Sequence, residues 1–231
     1  MNIWLKLTVL TAALVVAASA AAQAVVGQAA PTFALNDTQG RAVKLADFKG
    51  KHVVLEWVNP GCPYVRKHYD SGNMPATQKG ARGKDVVWLA INSTALEHRD
   101  YLKPGELEAW LKSKDSAMTA TLMDADGKAG RAYGARTTPH MYVIDPTGKL
   151  VYAGAIDSIP SANAADIKGA THYVNQALGE SLAIGFRALA ISANYAMQEE
   201  REEGAEGEAA EVSTEISKGQ IIFSFVLAIG F

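Results

Sequence analysis

The chain has one cysteine, Cys62, in the stretch WVNPGCPYVRKHY. A thiol attacks only as its thiolate; a free cysteine ionises near pH ~8.5, and a helix N-terminus lowers that by about one to several units. Pro60-Gly61 forces a tight strand-to-helix turn ahead of the sulfur, and Gly61 permits close backbone approach. Pro63 suits the first helical turn, so Cys62 falls where unpaired N–H groups and the positive end of the helix dipole converge. Arg66, one turn later, can add positive charge on the same face. In a C-x-x-C exchange motif the second cysteine resolves the mixed disulfide; here that position is Val65. A free cysteine is often a small buried apolar residue instead. The strand–turn–helix junction, where ligand chemistry sits in α/β sheets, favours a reactive thiol.

Glu56 stands six residues before Cys62, inside VVLEWV. A carboxylate there is costly unless it has partners or takes up a proton. With a raised pKa it can accept and return a proton near neutrality, which suits a thiol that must alternate between two forms. A sheet-edge Glu facing solvent, or one paired with Lys51 or Arg66, is equally open. His52, His68, His98, His140 and His172 show no metal-ligand spacing, and no metal or other cofactor is expected. Asp124-Ala-Asp126-Gly127 resembles a calcium-loop fragment but lacks the later Glu, so it reads as a turn. Lys67-His68-Tyr69 reads as a solvated helix face, and Trp88 and Trp110 as core.

The elements that must position these groups alternate between strand and helix. Two short strands flank the turn at Asp37-Thr38-Gln39-Gly40, followed by a brief helical turn. Residues 53–58 form a nearly continuous apolar run, the pattern of a strand buried on both faces. A helix is predicted from Cys62 or Pro63 towards Gln78. A second buried strand covers 84–92. An amphipathic helix covers 103–114, with Leu107, Trp110 and Leu111 on one face. A short strand over 120–124 and a short helix closed by Gly134 follow. HMYVID-PTG-KLVYAGA reads as a β-hairpin, and 163–183 as a closing helix. The sum is an α/β domain over 25–183, its mixed sheet flanked by helices.

Three segments, APTFALNDTQGRAVKLADFKGK, VVLEWVNPGCPYV and GARTTPHMYVIDPTGKLVYAG, together resemble the thioredoxin-like superfamily in its redoxin branch. That branch holds the alkyl hydroperoxide reductase/thiol-specific antioxidant group and the exported thiol-disulfide oxidoreductases. The resemblance covers Gly27 to Ala183 and implies a three-layer fold with a central mixed sheet. It implies that Cys62 is the attacking thiol, Glu56 the buried acid beneath it, and Pro139 the cis-proline whose loop lies against the sulfur. Thr138 would then offer backbone groups for strand-like pairing with a substrate, beside Gly61 and Pro63. His140 could approach and stabilise the thiolate, or open a strand and face solvent.

Val65 departs from the dithiol pattern, and no other cysteine can resolve an intermediate. Three readings follow: mixed disulfides resolved by an external reductant thiol, a one-Cys peroxidase passing through sulfenic acid, or a non-catalytic peptide-binding module. The peroxidase pattern P-x-x-x-[TS]-x-x-C is broken, with Leu55 and Asn59 in its places, so thiol–disulfide exchange with a protein or small-molecule substrate is preferred. A disulfide-linked homodimer through Cys62 is a further possibility.

A net charge of −2 and a pI near 6.2 give no basic excess for nucleic acid. MNIWLK, an apolar run and two A-x-A sites (Ala18-Ser19-Ala20, Ala22-Gln23-Ala24) read as a signal peptide over 1–24, with an uncleaved anchor as the alternative. The expected location is the periplasm or outside the cell. Residues 184–231 form an atypical tail: an acidic Gly/Ala-rich stretch, Gln198 to Glu215, reads as disordered or as a solvated helix. The final eleven uncharged residues, from Ile221, are too few for an ordinary span.

Overall fold

The computed structural model describes residues 23–184. Most of the expected signal segment and of the expected tail lies outside the described residues. By its contacts the chain divides into two units at Val174 and Asn175. Of the second, the described part is residues 175–184, in the helix that begins at 173. The remaining elements belong to the first unit.

Seven strands form one sheet: β1 (Ala34–Asp37), β2 (Ala42–Lys44), β3 (Val53–Trp57), β4 (Val87–Asn92), β5 (Ala120–Met123), β6 (His140–Ile144) and β7 (Leu150–Gly154). Their order is β2-β1-β5-β4-β3-β6-β7. β3 runs parallel to β4, and β4 to β5, while the pairs β3–β6, β6–β7, β1–β2 and β1–β5 are antiparallel. The helices are α1 (Pro63–Asp70), α2 (Asn73–Arg82), α3 (Pro104–Ser113) and α4 (Lys128–Tyr133). The mixed α/β sheet expected from the alternation of elements is therefore present.

Every residue of β3 is buried, as is every residue of β4, which explains their unbroken apolar runs. Alternation then assigns side chains to the two faces. Val53, Leu55 and Trp57 join Leu89, Ile91, Leu122 and Tyr142 in one apolar cluster. Val54 and Glu56 fall on the other face, which Tyr69 of α1 and Gln78 of α2 reach through hydrogen bonds to Glu56.

Two helices stand where one was predicted. α1 ends at Asp70, Ser71 Oγ donates to the Lys67 carbonyl at 2.7 Å, and Gly72 adopts φ 75° before α2 begins. That left-handed backbone suits glycine alone without cost, and it ends the first helix. The predicted closing helix is also divided. Ala164–Gly169 is a 3₁₀ turn capped by the Asn163 side chain, Ala170 is extended, and the α-helix starts only at Tyr173.

Candidate active site

Cys62 is the N-cap of α1, with extended backbone (φ −77°, ψ 125°), and Pro63 occupies the first helical turn. The turn before it is closed by Asn59, whose Oδ1 accepts the Gly61 N–H at 2.8 Å and whose carbonyl accepts the Cys62 N–H at 3.0 Å. Gly61 also makes room for Asp100, because a Cβ there would lie 2.5 Å from Asp100 Cγ and that side chain would have to shift. The half-buried Cys62 Sγ donates to the Thr138 carbonyl at 3.0 Å. The Thr138–Pro139 peptide bond is cis. Thus Gly61-Cys62-Pro63 and Thr138-Pro139, two segments far apart in sequence, come together at one junction.

Arg66 and His140 each make contacts of their own. Arg66 Nε donates to the Pro60 carbonyl at 2.8 Å and clamps the turn ahead of the thiol. His140 opens β6 with Nδ1 3.1 Å from Tyr142 Oη, and its ring packs against the Tyr142 ring. Burial lowers its pKa, which favours the neutral imidazole. Val65, at the second-cysteine position, is fully buried.

Glu56 is fully buried, which removes the solvent-edge alternative. It pairs with neither cation considered for it; Lys51 instead meets Asp85 at 3.0 Å. Three donors reach its carboxyl group: Tyr69 Oη at 2.7 Å, Trp88 Nε1 at 2.7 Å and Gln78 Nε2 at 3.1 Å. Donors favour the ionised form and desolvation opposes it; desolvation is the larger, so the pKa of Glu56 is raised. Burial, with the charge of Glu56 beside it, pushes the Tyr69 phenol up as well. Tyr69, Gln78 and the polar use of Trp88 were not anticipated. The available signal was Tyr69 at i+4 from Val65, on the inward stripe of α1.

Lys67-His68-Tyr69 is not a solvated face: all three are buried, at 3%, 2% and 2% exposure. Lys67 Nζ lies 3.0 Å from Asp157 Oδ2 and 3.3 Å from the Ile159 carbonyl. His68 Nε2 approaches the same Asp157 oxygen at 3.5 Å, while its Nδ1 lies 2.8 Å from Asn73 Nδ2. Burial lowers the His68 pKa to about 4, so the ring is neutral at pH 7. The partners come from the loop after β7, which covers a face of α1 that sequence spacing left to water. Trp110, expected in the core, is half-buried and lies against Tyr69 with ring centroids 5.0 Å apart. Asp124 accepts the Ala129 and Gly130 N–H groups and so serves the start of α4, not a cation.

Two grooves are lined by Thr137 and by Thr138, whose carbonyl Cys62 Sγ touches. One, of about 550 Å³, lies between Tyr64, Pro139, Ile156, Pro160 and Tyr173. The other, of about 320 Å³, lies between Asn59, Thr94, His98 and Arg136. Among the described residues no group of three or more His, Cys, Asp or Glu is placed to hold a metal ion, and no helix is long and apolar enough to cross a membrane.

A helix-capping thiol after a central strand, facing a cis-proline loop, lies here on a thioredoxin-like fold. A solved structure described as a putative thiol:disulfide interchange protein DsbE from Chlorobium tepidum aligns with TM-score 0.53 and 25% identity, over 69% of this chain and 99% of that one. An uncharacterized conserved protein from Geobacillus kaustophilus aligns with TM-score 0.53 and 26% identity, over 62% and 78%. In sequence, the thiol-disulfide oxidoreductase ResA of Bacillus thuringiensis is 25% identical over 126 residues, 54% of this chain and 67% of its own. ResA of Bacillus subtilis is 24% identical over 125 residues, 54% and 64%. The AhpC/TSA family model matches residues 26–153, and the chain belongs to that family.

Proposed function

We propose that this protein is an exported thiol-disulfide oxidoreductase that works through the single thiol of Cys62. The observation that carries the reading is the 3.0 Å contact between Cys62 Sγ and the Thr138 carbonyl. It puts the sulfur against backbone that can pair with an extended chain, in a chain related to proteins named thiol-disulfide oxidoreductases. Export rests on the leader-like residues 1–24.

In the first step the Cys62 thiolate attacks one sulfur of a substrate disulfide. A Cys62–substrate disulfide forms, the substrate S–S bond breaks, and the other sulfur leaves as thiolate and takes a proton. With Val65 at the resolving position, a second thiolate must come from outside. It attacks the substrate sulfur of the mixed disulfide, forms a new disulfide with it and returns Cys62 as thiolate. Glu56, with its raised pKa on the strand leading to the Cys62 turn, is suited to exchange the proton that the thiol loses and regains. Peroxide chemistry has less support, since the P-x-x-x-[TS]-x-x-C pattern is broken at Leu55 and Asn59.

The test is reaction of the folded chain with a small aromatic disulfide at pH 7. Cys62 is expected to react faster than in the denatured chain and to hold a stable mixed disulfide until an external thiol is added. Cys62→Ser abolishes the reaction. Slower reaction than in the denatured chain would overturn the oxidoreductase reading and leave a peptide-binding module.

A further inference from the structure

The two grooves that share Thr137 and Thr138 differ in chemistry, and the difference specifies a substrate. The sheet order puts β3 on one side of β6 and β7 on the other, so the loop at Thr137-Thr138-Pro139 has a groove on each flank.

The groove on the β7 side is apolar. Tyr64 and Tyr173 stand at its rim with 44% and 38% exposure, and Pro139, Ile156 and Ile159 line it. Its charged lining residues, Lys67 and Asp157, are buried and neutralise each other at 3.0 Å, so they present no net charge to an occupant. Two exposed rings over an aliphatic floor suit a flat, apolar side chain.

The groove on the β3 side is lined by donors. Arg136 is exposed and forms no ion pair among the described residues. Asn59 spends its Oδ1 on Gly61 and keeps its amide N–H groups. His98 accepts the Asp100 N–H at Nδ1, at 3.1 Å, which leaves Nε2 as a donor. No Asp or Glu lines this groove; Asp100, in the same loop, faces Gly61 and has a carboxyl oxygen 3.9 Å from His98 Nδ1. The Arg136 guanidinium and the Asn59 amide, which meet no such carboxylate, suit a carboxylate ligand.

We propose that the site takes an extended polypeptide whose reactive cysteine has an aromatic residue on one side and an acidic residue on the other. The aromatic ring enters the groove between Tyr64 and Tyr173. The carboxylate meets Arg136, Asn59 and His98. The peptide backbone crosses Thr138, which brings its sulfur to Cys62. This substrate class rests on the thiol-exchange reading above.

The test uses the full chain and short synthetic peptides with one cysteine, activated as a mixed disulfide with thionitrobenzoate. Cys62 thiolate attacks the peptide sulfur, the Cys62–peptide disulfide forms and coloured thionitrobenzoate leaves, so its release gives the rate. The flanks are phenylalanine/glutamate, phenylalanine/lysine, alanine/glutamate and alanine/alanine. The first peptide is expected to react about tenfold faster than the last, with each flank contributing. Arg136→Glu is expected to reverse the order of the glutamate and lysine peptides, and Tyr173→Ser to remove the phenylalanine advantage. Equal rates for all four, or a glutamate advantage that survives Arg136→Glu, overturn the proposal while oxidoreductase function stands. If Cys62 does not react at all, equilibrium binding of cysteine-free versions of the four peptides gives the same comparison. The same order of affinities upholds the grooves and equal affinities overturn them, while the oxidoreductase reading falls alone.

Discussion

Glu56 is fully buried and held by three donors, and its raised pKa has two separable consequences. General acid–base help of this kind is worth about 10²–10⁴ in rate. Glu56→Gln is therefore expected to slow thiol exchange at least about tenfold near neutrality. Stability moves in the opposite direction. An acid with a raised folded pKa binds its proton more tightly in the folded state, so the wild type loses stability as pH rises above 4.5, through the folded value. Gln has no such loss. The stability of Glu56→Gln relative to wild type should rise with pH in denaturant titrations between pH 4 and 8. A pH-independent difference would contradict the assigned direction. Val65 offers a second test at this scale. Val65→Cys places two sulfurs at i and i+3 on the first turn of α1. Mild oxidation is then expected to remove both thiols from titration, and the mixed disulfide with a small substrate should no longer accumulate.

The break between α1 and α2 makes Tyr69 and Gln78 approach Glu56 from separate helices. Gly72 at φ 75° is the joint, and a Cβ there would meet no atom within 4 Å. The whole cost of Gly72→Ala is thus the left-handed backbone, about 1–2 kcal/mol. An unfolding free energy lowered by that amount in denaturant titration, with the Cys62 reaction rate retained, is the expected result. The same joint shows what the sequence discloses. Pro60, Gly61, Pro63 and Pro139 act on their own backbone, so the thiol turn and the cis-proline loop could be read locally. A Ser-Gly pair inside a helical pattern costs only about 1 kcal/mol and does not by itself announce a break. Lys67 and His68 were misread because their partner, Asp157, lies 90 residues from Lys67, in a loop that no local pattern places on α1. Glu56 was legible as an anomaly in an apolar strand, whereas its donors, from α1, α2 and β4, required the assembled sheet.

For the molecule as a whole, the buried histidines set the acid limit of stability. His68 is neutral when folded, with its pKa lowered from 6.5 to about 4 by burial. A group with a depressed folded pKa contributes stability above its unfolded pKa and loses it as pH falls towards the folded one. Its contribution is complete above pH 6.5 and declines down to about pH 4. The loss is on the order of 3 kcal/mol. His140 and His172 are shifted in the same direction. Glu56 opposes them over part of this range, since it holds its proton more readily in the fold. The acid decline should therefore be steeper in Glu56→Gln than in wild type, when unfolding free energy is measured from pH 7 to pH 4. A flat profile in that variant would show that His68 is not held neutral.

The indole of Trp88 touches Glu56 directly, its Nε1 2.7 Å from a carboxyl oxygen. Indole fluorescence responds to charge placed beside its ring, so the colour and yield of Trp88 emission will follow the proton on that acid. The protein thus carries an intrinsic optical gauge of the protonation state of Glu56. A pH-jump trace of tryptophan light can time that proton's movement without any added dye.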